Sequence, residues 1–243
     1  MALQRDLRGG GLRRPAGAGG CLQSLPGSGC RGLAGLEGAS AITISGDGRF
    51  AYVTSAVSGA VRGFRLNRAK GTLIPLYGPG GCISSGERAP RDVPCNTREA
   101  QLAGARSIAL SPDGRQLYVA AFDPGAVVVL QRDTATGTLS VSPPGCLQAA
   151  RDQSCPLGLP FLHGAAAIAM GPAGSVVYVV SEGANSLVEL ARNPADGSLA
   201  LATGNPAALD GLNGPAALAL SPGGEDIYVV SPFDDAVAAF TSR

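Results

Sequence analysis

Four tripeptides of the form Leu-x-Gly recur along this chain, and the variable residue in them is Glu37, Ala103, His163 and Asn213 in turn. Arg106 follows two residues after the second glycine, Gly104. A histidine and a glutamate that can activate water, with an arginine to stabilise a developing oxyanion, are groups that hydrolysis at a carbonyl could use. The glycine after each candidate lets the chain turn inward, so if the four stretches surround one axis, Glu37, His163, Asn213 and Arg106 converge near its mouth. The same positions also read as solvated residues before a glycine turn, and His163 is the only histidine. A second set is acidic. Asp123, Glu182, Asp234 and Asp235 fall in short loops at equivalent places. Calcium takes about six to eight oxygens and could draw them from several such loops, although no Asp-x-Asp-x-Asp-Gly loop is present and polar turns also account for these residues.

These candidates are carried by a repeated hairpin. In Ser107 to Val119, Ile108 and Leu110 alternate with Ala109, then Ser111-Pro112-Asp113-Gly114 reverses the chain, and Leu117 and Val119 alternate with Tyr118. That is a strand, a turn and a second strand. The other copies run from Ile42 to Val53, Ile168 to Val179 and Leu218 to Val229. Their turn glycines, Gly48, Gly114, Gly174 and Gly224, are separated by 66, 60 and 50 residues. Four of the five tyrosines, Tyr52, Tyr118, Tyr178 and Tyr228, share one phase of the unit. A third strand is expected from Val61, Val127, Leu187 and Val237, and a short fourth strand after Gly71-Thr72-Leu73, Gly137-Thr138-Leu139 and Gly197-Ser198-Leu199. Small residues such as Ala109, Ala169 and Ala219 stand where sheets would crowd an axis. The fold class expected is all-β, a β-propeller of four-stranded antiparallel blades, with no helix required.

Composition narrows the partners. With 45% hydrophobic residues the chain can fill a core, and a net charge of +1 with no basic stripe gives no reason to expect nucleic acid. No apolar run of roughly 18 residues is present to span a membrane. The six cysteines form three local pairs, Cys21 with Cys30, Cys82 with Cys95 and Cys146 with Cys155, each leading into the next hairpin. Gaps of eight, twelve and eight residues are wrong for zinc and suit local disulfides. Disulfides place the chain in an oxidising, extracytoplasmic setting, secreted or on a cell surface.

The repeat divides the chain into blades over 36–101, 102–161 and 162–211, three strands of a blade over 212–243, and a second half-blade with its cysteine loop over 1–35. The last assignment rests on the match of Leu3-Gln4-Arg5-Asp6 to Leu130-Gln131-Arg132-Asp133 and of Cys21-Leu22-Gln23 to Cys146-Leu147-Gln148. Two architectures follow. In one, Leu12 adds the outer strand to the last blade and closes a four-bladed ring. In the other, these residues are part of a larger propeller, which also reconciles the cysteines with an N-terminal stretch that lacks the apolar region of a secretory signal.

The Ser-Pro-Asp-Gly-Arg-x-Leu-Tyr-Val unit, the Ala-Tyr-Val-Thr-Ser at 51–55 and the Asp/Asn-x-x-x-Gly-Thr/Ser-Leu turn resemble the YVTN-type, lactonase-like β-propeller superfamily. The resemblance covers nearly the whole chain from about residue 36. It implies a propeller, commonly seven-bladed, among 6-phosphogluconolactonases, carboxymuconate cyclases and many surface propellers without known chemistry. The cysteine pairs and the near absence of histidine depart from a cytosolic sugar-phosphate enzyme. The leading expectation is therefore a repeat scaffold that binds a protein, glycan or small ligand on its disulfide-bearing loop face, and the alternative is a lactonase-like hydrolase. Peptide mapping without reduction should recover the three local pairs and no free thiol; six free thiols, or bonds between different pairs, would contradict this reading.

Overall fold

The computed structural model describes residues 4–5, 12–13, 20–25, 30–86, 95, 97–150, 155, 157–202, 207–208 and 212–241. In chain order its strands are β1 (Gln4–Arg5), β2 (Leu12–Arg13), β3 (Leu22–Gln23), β4 (Arg31–Gly32), β5 (Ala39–Ile44), β6 (Phe50–Ser55), β7 (Ala60–Asn67), β8 (Thr72–Pro75), β9 (Cys82–Ser84) and β10 (Thr97–Arg98). They continue as β11 (Ala105–Leu110), β12 (Gln116–Ala121), β13 (Ala126–Arg132), β14 (Leu139–Gln148), β15 (Ala165–Met170), β16 (Val176–Ser181), β17 (Ser186–Arg192), β18 (Leu199–Leu201), β19 (Ala207–Ala208), β20 (Ala217–Leu220), β21 (Asp226–Ser231) and β22 (Ala236–Thr241). The only helical elements among the described residues are two single 3₁₀ turns, Ala100–Leu102 and Pro160–Leu162, which were not expected from the sequence.

Four sheets contain the four hairpins. Sheet I runs β5-β6-β7-β9-β10 with β8 also on β7; sheet II runs β11-β12-β13-β14; sheet III runs β15-β16-β17-β18 with β19 also on β17; sheet IV is β20-β21-β22. The turn chemistry explains why each hairpin reverses where it does. In sheet II the Ser111 hydroxyl donates to the Asp113 carboxylate at 2.5 Å and accepts from the Gln116 N–H, while Gly114 at φ +70° takes the left-handed conformation that a side chain resists. Ser45, Asp47 and Phe50 repeat the arrangement in sheet I.

The fourth strand begins at the expected Thr/Ser-Leu in sheets I, II and III but extends further than expected. It is long or split, and its second half carries the first cysteine: β9 begins at Cys82 and β14 runs through Cys146. Each disulfide then closes a loop whose two legs run parallel, Leu22 beside Arg31, Ile83 beside Thr97 and Gln148 beside Gly158. The bonds join Cys21 to Cys30, Cys82 to Cys95 and Cys146 to Cys155, with Cα separations of 4.7, 4.7 and 5.3 Å. At the N-terminus β1 pairs with β2 in the register Arg5↔Leu12, the same as Arg132↔Leu139 between third and fourth strands of sheet II. Yet β2 pairs with β1 alone, and not with sheet IV. The described residues therefore form an open fan, not a ring closed by overlapping termini.

The hydrophobic core lies between sheets. One cluster joins Phe50, Tyr52 and Val61 of sheet I to Leu117, Val128 and Leu130 of sheet II. A second joins Tyr118, Val127 and Val129 to Ile168, Val177 and Leu190, and a third joins Tyr178, Val180 and Leu187 to Ile227 and Val229. Inside these interfaces sits a repeated polar latch. The Tyr52 hydroxyl donates to the Gly137 carbonyl at 2.8 Å and accepts from Arg132 Nε at 2.5 Å. One sheet on, the Tyr118 hydroxyl donates to Gly197 at 2.9 Å and accepts from Arg192 Nε at 2.7 Å. Arg192 also reaches the Gly174 carbonyl, Gln116 Oε1 and the Asp113 carboxylate at 3.1 Å. Burial pushes both tyrosines above the ordinary phenol value, against the lowering by their arginines, so they stay protonated and keep donating.

Asp113 shows the opposite balance. Partial burial works to raise it, but the Ser111 hydroxyl, the Arg115 N–H and Arg192 together hold it below the usual carboxylate range. A depressed folded-state value stabilises the fold above the unfolded pKa of about 3.9 and loses that contribution as pH falls through the folded value. Urea denaturation should therefore show acid sensitivity below about pH 4 that is reduced in Asp113→Asn. Tyr52→Phe, which strands Arg132 Nε and the Gly137 carbonyl in a buried interface, should cost about 1–3 kcal/mol at neutral pH.

Candidate functional site

The Leu-x-Gly stretches lead into the first strand of each sheet. Leu102, Leu162 and Leu212 are buried and Leu36 is half-buried, which anchors the turns. Gly38, Gly104, Gly164 and Gly214 all have φ between +66° and +70°. Each turn lies against the loop between second and third strands of its own sheet. The Gly104 carbonyl accepts from the Phe122 N–H, the Gly164 carbonyl from the Glu182 N–H, and the Gly38 carbonyl from the Ala56 N–H. The contact is close: a Cβ on Gly104 would lie 2.8 Å from the Asp123 carboxyl carbon and 2.9 Å from its backbone nitrogen. The variable residues and the acidic loops thus share one face of the fan because backbone hydrogen bonds bind turn to loop.

Within that face the structure pairs two candidates and sets a third against the adjoining loop. Arg106, on β11 of sheet II, reaches across to sheet III and donates from Nη1 to Glu182 Oε2 at 2.8 Å. Its guanidinium carbon lies over the Phe122 ring, 3.5 Å from the centroid. Next to Glu182, Gly183 packs so tightly on His163 that a Cβ there would collide with the imidazole Nδ1. His163 itself is exposed. Arg106 and Glu182 therefore meet at the junction of sheets II and III, the arginine positioned by a carboxylate and an aromatic ring, and His163 packs on Gly183, the residue after Glu182.

The other candidates are placed apart from it. Glu37 is exposed on sheet I, two sheets from His163, and its backbone carbonyl accepts from the Ser58 N–H; its side chain has no partner among the described residues. Asn213 sits on sheet IV, where its N–H donates to Asp234 Oδ2 at 2.6 Å. Asp235 takes φ +50°, the position held by Gly59, Gly125 and Asn185 in the other sheets. Asn185 uses it to accept the Gly214 N–H of the following sheet at 2.8 Å. Asp123 is exposed beneath Gly104. Among the described residues no three His, Cys, Asp or Glu side chains gather as metal ligands.

Two features escaped the sequence reading. The pairing of Arg106 with Glu182 links two residues that had been assigned to different sets, and its signal was present, since both fall on the loop face of adjacent repeats. Phe122 under Arg106 could have been found by the same alignment. Arg62 had no such signal. It replaces the Val128 and Val188 of the other third strands, is almost fully buried, and is held by the carbonyls of Ala34 and Leu76, with burial lowering its pKa.

No protein-family profile matches the chain, and no curated protein matches it in sequence. Solved structures do match. A 6-phosphogluconolactonase-like protein from Bacteroides uniformis superposes with a TM-score of 0.63 at 18% identity, over 83% of this chain and 52% of its own length. The periplasmic gluconolactonase of Pseudomonas aeruginosa gives 0.60 at 20% identity, over 84% and 50%. The Cps50 (Swd1) β-propeller domain of Myceliophteria thermophila gives 0.51 at 12% identity, over 84% and 54%. The chain has a β-propeller fold and spans about half the length of these three structures. Because the loop face depends on its glycine turns, Gly104→Ala should destabilise the protein by at least about 1 kcal/mol through its left-handed φ, while Ala103→Ser, at the half-exposed neighbour, should be near neutral in the same thermal melt.

Proposed function

We propose that the loop face hydrolyses a small sugar-type lactone at the cluster of His163, Arg106 and Glu182. The observation that carries this reading is the arginine held between Glu182 and Phe122, with the only histidine packed on Gly183 next to Glu182. It is supported by the lactonases among the matching structures. In this mechanism His163 takes a proton from water as its oxygen attacks the lactone carbonyl carbon, and the carbonyl electron pair moves onto oxygen, where Arg106 stabilises the charge. Collapse of the tetrahedral intermediate expels the ring alkoxide, which takes the proton back from the imidazolium and leaves the open hydroxy acid. Glu182 is a positioning residue that keeps the guanidinium at the junction. Glu37, two sheets away, takes no part in this step.

A second reading is a non-catalytic scaffold that binds a protein, glycan or small ligand on the same face. The separation of Glu37 from His163 favours it, because no carboxylate in hydrogen-bonding contact orients the imidazole among the described residues. In either reading the three disulfides support an extracytoplasmic location, and the chain forms part of a larger propeller ring. Gluconolactone hydrolysis, followed by proton release in weakly buffered solution, separates the two. The hydrolase reading predicts a rate above the spontaneous one that falls at least about 100-fold in His163→Ala and also falls in Arg106→Ala. Saturable lactone binding by calorimetry with no rate above background would establish the scaffold instead.

A further inference from the structure

Arg62 is a buried cation for which the chemistry of the loop face has no use. It is 1% exposed, yet it holds only the carbonyls of Ala34 and Leu76 at 3.4 and 3.5 Å, and its Nε has no partner among the described residues. No carboxylate lies within ion-pair distance of it among those residues, and the titratable group that acts on it is Tyr77. A guanidinium keeps its charge when buried, and a buried charge without a counter-charge is costly. A disulfide lies opposite. Arg62 on β7 pairs directly with Cys82 on β9, so the two side chains leave the same face of the sheet. Gly35 closes the group: a Cβ there would lie 2.8 Å from Cys95 Sγ and 2.9 Å from Cys82 Sγ, while the carbonyl of the preceding residue, Ala34, accepts from Arg62 Nη1. The two sulfurs differ in access, since Cys82 is 3% exposed whereas Cys95 is partly exposed.

We propose that the Cys82–Cys95 bond is a site of reversible modification by a small thiol, which adds to Cys95 while Arg62 stabilises the thiolate released on Cys82. The thiolate of the small molecule attacks Sγ of Cys95. A new sulfur–sulfur bond forms to the incoming thiol as the bond between Cys95 and Cys82 breaks, and the electron pair of the broken bond stays on Cys82 Sγ. One disulfide is exchanged for another, so the step needs no further oxidant or reductant. Exchange is faster when the leaving thiolate is more stable. Burial in apolar surroundings disfavours a thiolate on Cys82, and a neighbouring guanidinium favours it. The released thiolate is also the counter-charge that Arg62 lacks among the described residues. Sheet II supplies the comparison: Val128 stands opposite Cys146 there, and Cys146 and Cys155 are 6% and 0% exposed within the apolar core. Cys21 and Cys30 are both partly exposed, so that bond is open to thiols by access alone. From Cys95 the chain leads through Thr97–Arg98 and the Ala100–Leu102 turn to Arg106, which sets the adduct on the approach to the loop face. This inference does not rest on the hydrolase reading.

The test exposes the oxidised protein to reduced glutathione, quenches with acid at early times, alkylates free thiols and maps the peptides by mass spectrometry without reduction. Glutathione should appear on Cys95 and the alkyl group on Cys82, with the Cys146–Cys155 bond intact. Arg62→Met should slow the appearance of the Cys95 adduct by about 10-fold and leave the rate at Cys21–Cys30 unchanged. Arg62→Lys, which keeps a positive charge, should retain most of the wild-type rate. Unfolding cannot imitate this result, because it would speed exchange at all three bonds; if Arg62→Met behaves so, the adduct position in the wild type and the rate in Arg62→Lys decide. Glutathione on Cys82, equal wild-type rates at Cys82–Cys95 and Cys146–Cys155, or a folded Arg62→Met protein that reacts as fast as the wild type would overturn the proposal.

Discussion

A phenol held between a carbonyl and a guanidinium ties one sheet to the next in this protein. Tyr52 and Tyr118 each spend both hydrogen-bonding capacities of the hydroxyl on the following sheet, and Arg132 and Arg192 return the contact from there. The apolar area around these groups supplies most of the driving force for stacking. It does not by itself fix the angle between sheets. A buried hydroxyl and guanidinium satisfied only in one geometry do, because any slip leaves buried polar atoms without partners. The second latch is the more complete of the two: Arg192 gains Asp113 and Gln116, whereas Nη2 of Arg132 has no partner among the described residues.

Everything on the loop face follows from that stacking. Arg106 meets Glu182 because adjacent sheets are held at a set angle, and in sheets I to III the Leu-x-Gly turn reaches its own loop through a backbone hydrogen bond beside a glycine in the left-handed region. The disulfides act on the other part of each repeat. They pin the return from fourth strand to next hairpin, and Cys146 and Cys155 belong to the core between sheets I and II. Loop closure of this kind contributes on the order of 3 kcal/mol per bond.

The hairpins, their turns and the phase of the tyrosines were legible in the sequence because each rests on local chemistry: alternation, a Ser-x-Asp-Gly turn, a small residue at the crowded edge. The disulfide pairs were legible for the same reason. The start of the fourth strand at Thr72, Leu139 and Leu199 was legible too, but not its continuation through Cys82 and Cys146, which is set by pairing with β7 and β13 and not by its own Gly- and Pro-rich residues. The junction of Arg106 with Glu182 depends on which loop of the next repeat lies nearest, a matter of sheet angle that no single repeat encodes. Grouping Glu37 with His163 assumed a ring of four equivalent positions; in the fan they stand two sheets apart, and equivalence by phase is not proximity. Arg62 is a further case, a charge where the repeat pattern places valine, buried because Ala34 and Leu76 happen to offer carbonyls.

The Tyr-Arg latch couples neighbouring sheets energetically and does not merely accompany their packing. A double-mutant cycle on Tyr118 and Arg192, using Tyr118→Phe, Arg192→Met and the pair, measures that coupling by urea denaturation. The latch predicts an interaction energy of at least about 1 kcal/mol, with the double variant less destabilised than the sum of the single ones. Additivity within about 0.3–0.5 kcal/mol would contradict it and leave apolar burial alone to hold the sheets together.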